Sequence, residues 1–400
     1  MNKERWAVAL IVLAQWLGTS LWFSPNSAAD DLMAAWAINP AQFAWLIGAT
    51  QAGFIVGTLA MAYTGLADRF STSKVFAMSC LAGAAVNALF SGGTDFTAGL
   101  ALRFAVGLCL AGIYPLGMKM IVGWVGTRAG AALGLLVGML TLGTALPHGV
   151  RALGANLPWQ AVVQVSSALA ALGAVLLYFL GDGPHLKIGS GQRIAALGRV
   201  FGVFRLPDFR ASAFGYFGHM WELYAFWAVL PWLAAQLLGD ARQGGAPMPL
   251  SVSVVSFACI AIGFVGCVVG GRLSLRVGSP WVAAGALLAS GLMCAVYPLL
   301  GGQAPVLRLA VLLAWGVFVI ADSAQFSTIS ARACPPELVG SALALQNSIG
   351  FAITIASIAL LLDRVQAWGP WAVWLLLPGP VLGLLGLRPL LVRKPAVASG

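Results

Sequence analysis

The sequence predicts an all-α membrane protein with twelve transmembrane helices in two pseudo-symmetric six-helix bundles. Three observations predict it. Apolar runs of about 20 residues recur along the chain, each long enough to cross a bilayer as a helix. The basic residues gather in alternate connections between those runs. The second half of the chain also repeats features of the first at a nearly constant offset.

The composition leaves little room for another class. The 400 residues are 60% hydrophobic and only 8% charged, too apolar for a soluble domain to cover its surface with polar groups. A transmembrane β-barrel would show short alternating segments, which are absent. In lipid the backbone must satisfy its own hydrogen bonds, so uninterrupted runs of this length are helices. The 49 glycines suit close helix packing, where small residues let backbones approach. A net charge of +10 would suggest nucleic acid in a soluble protein, but here it reflects topology. Five of the six cysteines (Cys80, Cys109, Cys259, Cys267, Cys294) lie inside apolar runs and Cys334 lies at a helix end. None has metal-ligand spacing, so they read as small core residues without disulfides.

Taken in order, the runs fall at about 6–26, 43–64, 75–92, 96–123, 130–150, 160–180, 209–238, 251–272, 280–300, 305–331, 338–362 and 369–390. The first, led by Lys3 and Arg5, could mimic a signal peptide cleaved near Ser27-Ala28-Ala29. It is long for one, and its loss would leave the first half a helix short. With the N-terminus inside, the inner connections and ends carry 17 of the 22 Lys and Arg residues. The outer connections carry three, Arg151, Arg242 and Arg364, while Arg103 and Arg308 lie within runs. That bias puts both termini in the cytoplasm.

The longest inner connection, Gly181–Asp208, is rich in Gly and basic residues and divides the chain into residues 1–180 and 209–400. We read 181–208 as a cytoplasmic linker. Leu186–Phe204 is basic and mildly amphipathic, so part of it reads equally as a flexible tether or as a helix on the inner membrane surface. The halves are related by an internal repeat at an offset of about 205. Trp16 meets Trp221, Trp22 meets Trp227 and Arg103 meets Arg308. Leu66–Arg69 meets Leu273–Arg276 at a slightly larger offset.

The connection Thr64–Lys74 reads T-G-L-A-D-R-F-S-T-S-K. It resembles the loop between the second and third helices of the major facilitator superfamily, whose motif runs roughly G-x-L-A-D-R-x-G-R-K. Leu66, Ala67, Asp68 and Arg69 match it, while Thr64 and Ser71 stand where the family has glycine. Arg103 followed by Gly107 resembles the family's fourth-helix motif, with Cys109 at its second glycine. Gly138, Gly143, Pro147 and Gly149 match the fifth-helix antiporter motif in part. Gly215–Tyr224, Gly138–His148 and Ala321–Ser327 also resemble an uncharacterised bacterial permease group of this superfamily. The resemblance implies two parallel six-helix halves, a cavity lined by the first, fourth, seventh and tenth helices, and an inner gate latched by Asp68 and Arg69.

Ionisable residues inside spans are costly, so they mark candidate sites. Glu222 lies mid-span, with His219 three residues earlier and Tyr216 one turn further back. Carboxylate and imidazole therefore project from one face and could exchange a proton; the structural alternative is a locked hydrogen bond between helices. Asp322 lies in the tenth run with Gln325 on the adjoining face. Its structural alternative is a packing contact to Gln346 and Asn347 on the eleventh. Arg103 needs an anion, a carbonyl or the substrate as partner. Glu222, His219, Asp322 and Arg103 are thus the proton-coupling candidates. Arg308, nearer the outer end, reads as snorkelling. Gln15, Trp16, Thr19, Gln51, Tyr216, Gln325, Gln346 and Asn347 are the substrate-cavity candidates, since polar groups in an apolar cavity fix orientation.

No Walker-type phosphate loop, metal cluster or nucleophile elbow appears in the sequence, and we expect neither enzyme activity nor a cofactor. The expectation is a proton-coupled permease of the bacterial inner membrane, a monomer in membrane lipid, moving a small organic solute by alternating access. A multidrug-type proton antiporter is one alternative. A non-transporting membrane sensor or scaffold is another.

Overall fold

The computed structural model describes residues 3–64, 66–93, 95–125, 130–154, 157–186, 201–245, 247–301, 305–335 and 338–392. Helix is the only regular structure among them. The first bundle contains Lys3–Thr19, Pro40–Thr64, Thr72–Ser91, Phe96–Leu110 with Tyr114–Val125, Gly130–Leu153 and Trp159–Leu180. The second contains Pro207–Gln243, Val252–Ala261 with Gly263–Val277, Ser279–Val296, Pro305–Ala321 with Ser323–Arg332, Val339–Trp368 and Pro378–Val392. These follow the predicted order and are called the first to twelfth spans below. By length and composition, eight described stretches can cross a membrane. One of them, Val339–Val392, is 54 residues long and holds both the eleventh and twelfth spans.

The sequence explains several boundaries. Pro40 opens the second span with its fixed φ, and Asn39 and Gln42 cap it reciprocally: Gln42 N donates to Asn39 Oδ1 at 2.8 Å and Asn39 N to Gln42 Oε1 at 3.0 Å. Asp95 caps the fourth span by accepting from Thr97 N and Ala98 N. Asp182, at the end of the sixth span, accepts from Ser73 N at 2.7 Å and so caps the third. The first span stops at Thr19, short of the predicted 26, and turns into a brief 3-10 segment at Asn26–Ala28. A further short helix, Ala29–Trp36, occupies the connection that follows. The fourth, eighth and tenth spans are each broken, around Gly112, Ile262 and Asp322.

Packing repeats between the bundles. A Cβ on Gly107 would strike the backbone carbonyl of Thr50, and one on Gly316 would strike that of Cys259. The second and fourth spans therefore touch backbone to backbone, as do the eighth and tenth. Arg103 lies 5.6 Å from the centroid of the Phe90 ring, and Arg308 lies 5.3 Å from that of Tyr297. The bundles meet along two seams. The second span packs on the eleventh, with Gly48 against Ile355, and the fifth packs on the eighth, with Gly149 against Phe257. Exposed apolar side chains such as Met78, Leu89, Phe179, Leu288 and Leu385 project from the third, sixth, ninth and twelfth spans, which suits a surface facing lipid tails. The predicted linker lies largely at 187–200, outside the described residues.

Candidate functional site

Where the bundles meet, aromatic rings from both sides stack. Trp22 and Phe54 come from the first bundle, Tyr224 and Phe351 from the second. Their centroids lie 4.8 Å (Trp22–Phe54), 4.6 Å (Phe54–Phe351), 5.4 Å (Trp22–Phe351) and 5.2 Å (Tyr224–Phe351) apart. Phe23 and Trp227 extend the cluster edge to face. All six are buried. The Trp22 indole donates to Gln51 Oε1 at 3.1 Å, while the Gln51 amide nitrogen, equally buried, has no partner among the described residues.

One turn and two turns before Tyr224, Met220 and Tyr216 continue the face that the seventh span turns to Gly350 of the eleventh. His219 looks instead toward the tenth span. Its Nδ1 lies 2.8 Å from Asp322 Oδ1, and both side chains are 1% exposed. The contact is close but not aligned as a hydrogen bond, and His219 Nε2 has no partner either. The rings of Tyr216 and Phe326 flank the imidazole at 5.9 and 6.0 Å. Asp322 stands at the break in its helix, where Gln325 N and Phe326 N both bond its carbonyl. A titratable pair is thus fixed between the seventh and tenth spans at a point of irregular backbone.

The expected His219–Glu222 exchange is not what the side chains make. Glu222 accepts from Ser290 Oγ at 2.8 Å and from Trp315 Nε1 at 2.7 Å. Both donors are neutral and belong to the ninth and tenth spans. A spacing of three residues puts two side chains near one face but does not fix which neighbour each meets.

Arg103 bonds inside the first bundle. It donates to the Leu21 and Trp22 carbonyls at 3.2 and 2.6 Å, to Asn87 Oδ1 at 2.9 Å and to Thr50 Oγ1 at 3.1 Å. The two carbonyls lie just past the end of the first helix, where the backbone has lost its own partners. The guanidinium therefore closes the C-terminal end of the first span, using the carbonyl option the sequence had left open. Arg308 does not snorkel: it is 1% exposed and pairs with Asp240 at 2.5 Å.

The remaining candidates divide. Tyr216 and Gln51 lie on or beside the junction described above. Gln15 is fully buried against Gly117 of the fourth span with neither amide atom bonded, and the half-buried Trp16 has an unpaired indole N–H. Thr19 satisfies itself on the Gln15 carbonyl at 2.9 Å. Gln346 accepts from Ser330 Oγ at 2.7 Å, and Ser330 is also bonded to Ser212, so Gln346 ties the seventh, tenth and eleventh spans rather than meeting Asp322. Gln325 is buried, and Asn347 is only half-buried and joins neither group. Arg69 is exposed on the short helix Leu66–Arg69, and the side chain of Asp68 lies outside the described residues. On the fifth span, His148 is buried and Arg151 pairs with Asp31 at 2.5 Å.

A model of the Major Facilitator Superfamily matches residues 8–359. The chain belongs to this superfamily. Its fold agrees with solved superfamily transporters. A mutant of the nucleoside transporter NupG superposes over 96% of this chain and 99% of its own, with a TM-score of 0.73 and 13% identity. The human organic anion transporter MFSD10 (TETRAN) superposes over 97% and 99%, with a TM-score of 0.67 and 19% identity. At these identities the likeness is one of fold. Among characterised relatives, the niacin transporter NiaP of Acinetobacter baylyi is 35% identical over 91 residues. That match spans 22% of this chain and 20% of the relative.

Within this superfamily member, the residues that sequence reasoning missed are mostly aromatic. Trp315, Phe54, Tyr224 and Phe351 sit in largely apolar runs, where aromatic type alone does not separate an inward-facing ring from a lipid-facing one. Asp240 and Asp182 lie at span ends, and charge there is the default. Asn87 had a usable signal, being the lone amide in the third span.

Proposed function

We propose that this protein is a secondary active transporter. It moves a small organic solute across a bacterial inner membrane by alternating access, driven by protons. The observation that carries the reading is the buried His219–Asp322 pair between the seventh and tenth spans. Breaking such a pair leaves a charge unpaired in a medium where that is costly, about 3–5 kcal/mol. Proton transfer onto the carboxylate relieves that cost, and so links protonation to the separation of the two spans. Glu222, bonded by two neutral donors, is a second carrier deeper in the same bundle.

The aromatic junction gives the motion something to act on. Rings from three spans and from the turn after the first join the bundles, and a solute that displaces one ring from another parts them. The relatives named above as transporters of niacin and nucleosides support a small organic cargo. Both termini and the linker at 181–208 face the cytoplasm in this reading, and one chain in lipid suffices. The test is uptake into proteoliposomes under an imposed proton gradient. Gradient-driven uptake that Asp322→Asn abolishes supports the proposal, and uptake indifferent to both the gradient and the substitution removes it.

A further inference from the structure

The chemistry of the junction narrows the cargo. Resting on the transport reading above, we infer that the solute is a neutral, flat aromatic molecule bearing a carbonyl-type acceptor, held between the aromatic rings and Gln51.

The charge argument comes first. The buried cations on the ring-bearing spans and on the fourth and tenth spans already have partners, while His148, buried on the fifth span at the other seam, keeps Nε2 unpaired among the described residues. Arg103 holds two carbonyls and two side-chain oxygens, Arg308 holds Asp240, and His219 faces Asp322. Lys119 is engaged as well. A carboxylate or phosphate entering this region would find no guanidinium or ammonium to meet it, and burying an uncompensated anion is costly. A cationic solute would have Asp322 only by displacing His219.

Shape comes second. Trp22, Phe54, Tyr224 and Phe351 touch one another with centroids 4.6–5.8 Å apart. A flat ring entering between two of them exchanges ring–ring stacking for ring–solute stacking at little net cost. A sugar or an aliphatic solute would forfeit that stacking.

Hydrogen bonding comes third. Gln51 is fully buried, its oxygen is taken by the Trp22 indole, and its amide nitrogen is unpaired beside the rings. An NH2 donor in that position selects a solute acceptor, because a buried donor left unmade is penalised.

The experiment measures binding to the purified full chain in detergent by quenching of tryptophan fluorescence, together with counterflow exchange in proteoliposomes. The probes are nicotinamide and uracil, with nicotinate as the charged isostere of nicotinamide, and with benzylamine and glucose. The inference expects the two neutral heteroaromatics to bind at least tenfold tighter than nicotinate, benzylamine or glucose. Gln51→Met removes the amide donor at similar length and should weaken nicotinamide at least tenfold in protein that still shows a cooperative unfolding transition. A preference for nicotinate, benzylamine or glucose, or no binding of either neutral ring at millimolar concentration, overturns the solute class while leaving transport standing. A probe that binds but is not exchanged across the vesicle membrane overturns the transport reading instead.

Discussion

Replacing Arg103 with methionine should damage the fold of the first bundle rather than the coupling of transport. Methionine keeps the length and apolar stem of the side chain and removes all four hydrogen bonds. The acceptors do not suffer equally. Asn87 Oδ1 still accepts from Ser24 at 2.9 Å, and Thr50 still donates to the Leu46 carbonyl at 3.2 Å. The Leu21 carbonyl lies 3.3 Å from the same Ser24 hydroxyl and can only share its one proton with Asn87. The Trp22 carbonyl, bonded by Arg103 at 2.6 Å, keeps no other partner among the described residues. One orphaned buried carbonyl costs about 1–3 kcal/mol, and three weakened acceptors add on the order of 1 kcal/mol each. Relief of guanidinium burial returns part of this, so the net loss is about 3 kcal/mol. For a bundle of this size the unfolding midpoint should fall by roughly 6–12 °C. The assay is thermal unfolding of detergent-solubilised protein. Arg103→Lys, which retains charge but not the fork of donors, should fall between methionine and wild type. An unchanged midpoint with transport abolished would refute the reasoning and return Arg103 to a direct part in coupling.

Other substitutions probe the remaining contacts. Gly107→Val should prevent stable accumulation of the protein, because its Cβ meets the Thr50 carbonyl, and wild-type yield and unfolding temperature would contradict the backbone contact. Glu222→Leu leaves the Trp315 donor unpaired, while Ser290 keeps the Leu287 carbonyl at 3.1 Å, and should cost about 1–3 kcal/mol, whereas Glu222→Gln should cost about 1 kcal/mol or less. Equal unfolding temperatures for the two variants would mean those bonds contribute nothing. Arg308→Met and Asp240→Asn should each destabilise, and the double variant should be no worse than Arg308→Met alone. Simple additivity in that cycle would show that the pair is not coupled.

Much of the fold was legible because lipid forces a simple code. Span length, the alternation of basic loops and the repeat of Trp16, Trp22 and Arg103 in the second half all follow from constraints that act along the chain. The same physics explains what was hidden. Arg103 was visible as a buried cation, but its bonds to Leu21 and Trp22 depend on the first helix stopping at Thr19, and no cap residue announces that stop. His219 and Glu222 were rightly singled out as buried ionisable groups. Their partners, Asp322 for one and Ser290 with Trp315 for the other, lie between 68 and 103 residues away in the chain, and the rotation of the seventh span decides them. The aromatic junction was invisible for a different reason. In a bilayer an apolar ring can face a neighbour or a lipid at similar cost, so sequence pattern carries no inside and outside.

The account turns on the His219–Asp322 pair as the element that links protons to solute movement. The direct measurement compares two modes of transport in the same proteoliposomes: uptake driven by an imposed proton gradient, and exchange of internal for external solute with no gradient. For Asp322→Asn the account predicts loss of driven uptake with exchange retained, because the cavity and its rings still alternate while the proton step is gone. Driven uptake at the wild-type rate in Asp322→Asn and in His219→Gln would contradict it.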